Sequence, residues 1–218
     1  MRLLFLGNSL TYTNDLPGML EQLAAAGGVV GIDPRDASQP GYALEDHWST
    51  PQSRAALDEG PWDIVILQQG PSSLPESRGN LVTWAETWAD AIRDRGSTPA
   101  LYMVWPDRTR LEFFDDVRES YEAAADAADG ALYPAGEAWR SAWARDPTLA
   151  LYGPDDFHPS VMGTYLAALT IYRGITGRAS PSLTSLGFTP EVEALLQEAA
   201  EEAHARYGHA VTAAPAGQ

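Results

Sequence analysis

The sequence predicts an α/β fold, a central parallel β-sheet with helices on both faces. Two observations carry this. Leu3-Leu4-Phe5-Leu6 and Ile64-Val65-Ile66-Leu67 are unbroken apolar runs, stopped by Gly7-Asn8-Ser9 and by Gln68-Gln69-Gly70. Short apolar runs bounded in this way read as strands buried on both faces, the usual condition of a parallel sheet. Stretches of helical spacing alternate with the strands, and that alternation builds right-handed crossovers in a layered α/β domain.

Taken in order, a helix is expected over residues 15–26. Asn14 or Asp15 can cap it, Pro17 falls in its first turn, Leu16, Met19, Leu20 and Leu23 form one apolar stripe, and Gly27-Gly28 ends it. Residues 29–38 read as a second strand, although Pro34 and several charges interrupt them. Gln39-Pro40-Gly41-Tyr42 is a turn, and residues 43–57 are helical with a break at Pro51. The strand within 63–70 is followed by a polar loop over 71–79. A helix over 80–95 then carries Leu81, Trp84, Ala85, Trp88 and Ile92 on one side. Residues 99–104 form a strand, 111–128 a helix, 131–133 a short strand and 136–144 a short helix. After a loop over 149–159, an apolar helix capped by Ser160 covers 160–176, and an amphipathic helix covers 189–207. No repeat or long linker divides the chain. Residues 1–208 are therefore read as one domain and 209–218 as a disordered tail.

Composition narrows the function. Acidic residues outnumber basic ones 30 to 14, giving a formal net charge of −16. Such a surface repels phosphate backbones and anionic headgroups, so neither nucleic acid nor a membrane surface is an expected partner. There is no cysteine, which excludes disulfides and thiolate metal sites. The apolar run after Arg2 is too short for a signal-peptide core, and no stretch approaches the ~20 residues of a membrane span. The expectation is a cytoplasmic protein. No feature specifies the oligomeric state.

Ser9 follows a buried strand, at the sheet edge where α/β proteins bind ligands. A serine becomes a nucleophile only with a base, which is usually oriented by a carboxylate. Of four histidines, His204 and His209 sit in polar company on or beyond the last helix, and His47 reads as structural or as lining a cleft. His158 stands apart. It lies in Asp155-Asp156-Phe157-His158-Pro159-Ser160, where a tight loop can bring the Asp155 carboxylate to the imidazole and turn the other ring nitrogen toward Ser9. The same residues also suit a helix cap and an ordinary loop histidine. Acyl transfer further needs donors for a developing oxyanion. The Ser9 N–H, the Gly41 N–H and a side-chain amide of Gln68 or Gln69 are candidates. A structural hydrogen bond is the competing role for each glutamine.

Gly7-Asn8-Ser9 after the first strand, Gly41 after the second and Asp155-x-x-His158 near the C-terminus together resemble the SGNH (GDSL-type) hydrolase superfamily, nearest its carbohydrate-esterase-like members. The resemblance spans four islands up to about residue 177. It implies a three-layer, flavodoxin-like α/β/α sandwich and no cofactor, and the plausible metal ligands do not cluster at ligand spacing, so no metal site is expected either. It also implies Ser9 as nucleophile, His158 and Asp155 as the rest of a triad, and Gly41 in the oxyanion hole. Two departures stand out. Asn8 replaces the common Asp, and Gln68-Gln69-Gly70-Pro71-Ser72-Ser73 replaces the usual Gly-x-Asn-Asp block. The missing asparagine is assigned to Gln68, with Gln69 and Ser72 as alternatives.

The expected function is hydrolysis of a small acyl ester, such as an acetyl group on a carbohydrate, through an acyl-enzyme. Tyr42, His47, Trp48 and Trp105, with Gln69 and Ser72, are the candidate substrate contacts, core packing being the competing role for the aromatics. The alternative is a non-catalytic ligand-binding module on the same fold, favoured by the altered third block and disfavoured by intact Ser9, Asp155 and His158.

Overall fold

The computed structural model describes residues 1–209. Five parallel strands, β1 (Arg2–Leu6), β2 (Asp33–Asp36), β3 (Ile64–Leu67), β4 (Thr98–Tyr102) and β5 (Ala131–Tyr133), form one sheet in the order β2-β1-β3-β4-β5. The helices are α1 (Ser9–Tyr12), α2 (Leu16–Ala26), α3 (Leu44–Ser49), α4 (Pro51–Asp58), α5 (Pro75–Arg93), α6 (Phe114–Ala127), α7 (Ala135–Arg145), α8 (Val161–Thr176) and α9 (Pro190–Tyr207). Helix α2 packs on α8, which packs on α9 and α7, while α5 packs on α3 and α6. The sheet is thus the middle of three layers.

The apolar runs are what they looked like. Leu3, Leu4 and Leu6 have no exposed surface, and neither do Val65 and Leu67. Burying each such side chain stabilises the fold by roughly 1.5–3 kcal/mol. The strand order reverses direction between β1 and β3, the switch point at which ligands bind in flavodoxin-like sheets. Ser9 follows β1 and Gln68 follows β3 at that point.

Differences from the sequence reading fall at element ends. Strand β2 is only Asp33–Asp36, because it lies on the sheet edge, where alternate residues meet solvent and Pro34 costs no ladder bond. Helix α5 starts at Pro75, so the expected loop over 71–79 is shorter. Pro75 occupies the first turn, where its missing N–H is harmless, and Ser77 Oγ accepts the Leu74 N–H at 3.2 Å. Pro51 begins α4 and separates it from α3, as its position in the sequence implies. Of the expected tail over 209–218, residues 210–218 lie outside the described residues, while the His209 carbonyl accepts the Leu132 N–H of β5 at 3.1 Å. No helix among the described residues is long and apolar enough to cross a membrane.

Candidate active site

The turn after β1 presents Ser9. Asn8 has extended dihedrals and caps α1, its Oδ1 accepting the Leu10 N–H at 3.1 Å. Ser9 is therefore the first residue of a helix, and its own N–H has no acceptor among the described residues. Gly7 has to be glycine, because a Cβ there would collide with Thr11 Oγ1 and Gln68 Oε1.

His158 Nε2 lies 2.8 Å from Ser9 Oγ, and His158 Nδ1 lies 2.5 Å from Asp155 Oδ2. The other carboxylate oxygen, Asp155 Oδ1, accepts the N–H groups of Phe157 and His158 at 3.1 and 2.9 Å. One aspartate thereby shapes the loop and orients the ring. Its hydrogen bond with the His158 side chain, reinforced by those two backbone donors, holds the Asp155 carboxyl down at about 2. An ionised Asp155 keeps the proton on Nδ1 and leaves the Nε2 lone pair toward Ser9. The loop is closed at its base by Gly153 N–H to His158 O at 2.7 Å and Ser160 N–H to Leu151 O at 2.8 Å.

Gly41 has a φ of +70°, and its N–H also has no acceptor among the described residues. Its turn is tied to the serine turn twice. Asn8 Nδ2 donates to Tyr42 O at 3.0 Å, and the Gln39 N–H donates to Gly7 O at 3.0 Å. Two backbone donors without an acceptor thus lie on turns that are bonded to each other.

Several sequence-based assignments need correction. Gln68 is only 1% exposed, and its amide is fully engaged. Oε1 accepts from Asn8 N and Thr11 Oγ1, both at 2.8 Å, and Nε2 donates to Asn8 Oδ1 at 3.0 Å and Gln69 O at 2.6 Å. With both N–H groups in use, Gln68 has none to offer an oxyanion. It positions the serine turn instead. Gln69 and Ser72 are buried as well. Gln69 Oε1 accepts the Leu44 N–H at 3.1 Å, its Nε2 donates to Ser72 Oγ at 2.9 Å, and Ser72 Oγ donates to Gly70 O at 3.1 Å. These bonds shape the loop after β3.

His47 does not line a cleft. It has no exposed surface and sits beneath the serine turn, Nε2–H donating to Gly7 O at 2.8 Å and Nδ1 accepting from Ser53 Oγ at 2.7 Å. A carbonyl can only accept, so this tautomer is fixed. Burial lowers its pKa, opposed by the Gly7 bond and the charges of Asp46 and Asp36. Trp105 is also fully buried. It stacks on Trp139 with ring centroids 3.6 Å apart and donates to Phe157 O at 3.1 Å, which secures the histidine loop from behind. Trp48 packs edge-on against Trp88 with ring centroids 5.2 Å apart. Tyr42 is half-buried and meets His47 edge-on. Asn14, expected only as a possible helix cap, leaves that role to Asp15 and instead sends its amide to Pro159 beside His158. Left-handed dihedrals and a contact 145 residues away leave no local signal.

No family model matches the chain, and no curated protein sequence does. Solved structures do. A protein from Slackia heliotrinireducens described as a candidate SGNH hydrolase is 27% identical, with a TM-score of 0.68 over 80% of this chain and 98% of that one. A DUF4886 family protein from Bacteroides uniformis is 19% identical, with a TM-score of 0.80 over 95% of each chain. A variant of an acetyl xylan esterase from Geobacillus stearothermophilus is 17% identical, with a TM-score of 0.62 over 80% of this chain and 94% of that one.

Proposed function

From the premise that the chain has the SGNH hydrolase fold, we propose that it is a serine ester hydrolase acting through Ser9, His158 and Asp155. The observation that carries the reading is the unbroken relay from Ser9 Oγ to His158 Nε2 at 2.8 Å and from His158 Nδ1 to Asp155 Oδ2 at 2.5 Å.

Ser9 Oγ bonds to the acyl carbon as its proton passes to His158 Nε2. The carbonyl oxygen takes the negative charge and is held by the N–H groups of Ser9 and Gly41, preorganised donors that cost no reorganisation in the transition state. His158 gives its proton to the departing alkoxide as the ester C–O bond breaks, leaving an acyl-serine. Water then attacks with His158 again as base, and the carboxylic acid leaves as Ser9 regains its proton. Asp155 stays ionised throughout and stabilises the imidazolium.

The proposed substrate is a small acyl ester, with acetylated carbohydrates the first class to test, since structural neighbours include acetyl xylan esterases. Ser9→Ala and His158→Ala are expected to abolish hydrolysis of p-nitrophenyl acetate, and a fluorophosphonate is expected to label Ser9. Full activity in purified Ser9→Ala protein would overturn the assignment. A folded wild-type protein that neither labels nor hydrolyses any ester would favour a ligand-binding module.

A further inference from the structure

Asn14 lies one turn beyond the serine helix and has no part in the relay. It has a φ of 56° and is followed by Asp15 with a φ of 55°, so two successive non-glycine residues are left-handed. Such dihedrals are uncommon, although Asn and Asp tolerate them best, and they persist where surrounding contacts over-determine them. What the turn achieves is the aim of one amide. Asn14 Nδ2 donates to Pro159 O at 3.0 Å and to Thr164 Oγ1 at 2.9 Å. The flipped amide would set two oxygens against each other at Pro159, so the chemistry fixes its orientation.

Pro159 directly follows His158, and Ser9 begins the helix that leads into Asn14. The described contacts between the serine and histidine segments are few. One is the Ser9–His158 hydrogen bond itself, and another is this amide. Trp105, Arg108 and Leu151 hold the histidine loop to other parts of the fold. Asn14 ties it to the element that carries the nucleophile.

We infer that Asn14 is a positioning residue for the reaction proposed above, clamping the exit of the histidine loop to the serine segment so that Nε2 stays within hydrogen-bond reach of Ser9 Oγ. The inference rests on that reading for its kinetics but not for its geometry. A misplacement on the order of 1 Å at a base costs about 10²-fold in rate.

The test compares Asn14→Gly, Asn14→Asp and Thr164→Val with wild type. Glycine accepts the positive φ, so the turn survives while the clamp is lost. Aspartate keeps the shape but, as a carboxylate, cannot donate to Pro159. The valine variant removes only the bond to Thr164. Hydrolysis of p-nitrophenyl acetate is measured per Ser9 titrated by fluorophosphonate. The expected result is a kcat reduced about 10²-fold in both Asn14 variants, with KM within about threefold and little change in Thr164→Val. In ¹⁵N NMR spectra, the His158 ring signals of Asn14→Gly are expected to move toward those of Ser9→Ala. Unchanged kcat and ring signals in the Asn14 variants would overturn the inference, as would an equal loss in Thr164→Val. If Asn14→Gly does not fold, Asn14→Asp decides in its place. If wild type hydrolyses no ester, the esterase reading fails and the NMR comparison alone decides the clamp.

Discussion

Asn8 and Gln68 hold each other through reciprocal hydrogen bonds. The Asn8 backbone N–H donates to Gln68 Oε1 at 2.8 Å, and Gln68 Nε2 donates back to Asn8 Oδ1 at 3.0 Å. The residue before the nucleophile is thereby fixed to the neighbouring central strand, across the switch point of the sheet.

This exchange sets the outcome of removing Gln68. In Gln68→Ala the Asn8 N–H and the Thr11 hydroxyl lose their buried acceptor, at about 1–3 kcal/mol for each group left unpaired. Melting should fall by roughly 2–4 °C per kcal/mol in a domain of this size. Hydrolysis should fall too, because the turn that aims Ser9 loosens. Calorimetry and kinetics on the same sample separate this from direct oxyanion donation. A donor would lose kcat with its melting temperature unchanged.

Asp155 gives the protein an acid-sensitive contribution to stability. Its folded carboxyl titrates at about 2, below the ~3.9 of an unfolded aspartate. The unfolded state therefore binds the proton first on acidification. The stabilisation from Asp155 is present above about pH 4 and is lost as pH falls through about 2. Urea denaturation of Asp155→Asn against wild type should show a stability difference at neutral pH that closes over that window. The same variant should lose activity, on the order of 10⁴-fold in kcat, because an amide no longer holds the proton on Nδ1. A wild-type rate in Asp155→Asn would remove Asp155 from the relay.

How much of this was legible in the sequence follows from the range of the interactions. Strands β1 and β3 were legible because burial on both faces writes an unbroken apolar run. The meeting of Ser9, Asp155 and His158 was legible because each announces itself locally. Ser9 abuts such a run, and Asp155 reaches His158 within one tight loop. The fate of Gln68 was not legible, since its partners Asn8 and Thr11 lie 60 and 57 residues away. An amide at a strand end looks the same whether it faces a substrate or a neighbouring turn. Trp105 and His47 misled for a related reason. A polar atom on each, the Trp105 indole N–H and the His47 ring nitrogens, is paired inside the fold with Phe157 O, Gly7 O and Ser53 Oγ. Their residue types suit a binding cleft as well as a core.

His47 is buried as the neutral ring under Gly7, and burial lowers its pKa below the ~6.5 of an exposed histidine. His204 is lowered in the same direction, first by burial and then by the Arg173 charge. For both, the unfolded chain binds protons more readily than the folded one once the pH drops below about 6.5. The neutral rings' contribution to stability is full above that pH and declines as acid drives them to protonate. Protonating His47 also sets Nδ1–H in place of the lone pair that accepts from Ser53, so the Ser53 hydroxyl proton must rotate away and its oxygen accept instead, while Nε2–H keeps its bond to Gly7 O. Urea melts of wild type and His47→Gln at pH 7.5, 6 and 5 should therefore diverge. Wild type should start more stable and lose more on acidification, the variant following a shallower slope set by His204 and the carboxylates. Parallel slopes would mean that His47 takes up its proton in the folded protein as easily as in the unfolded chain, and would overturn the lowered pKa that burial gives it.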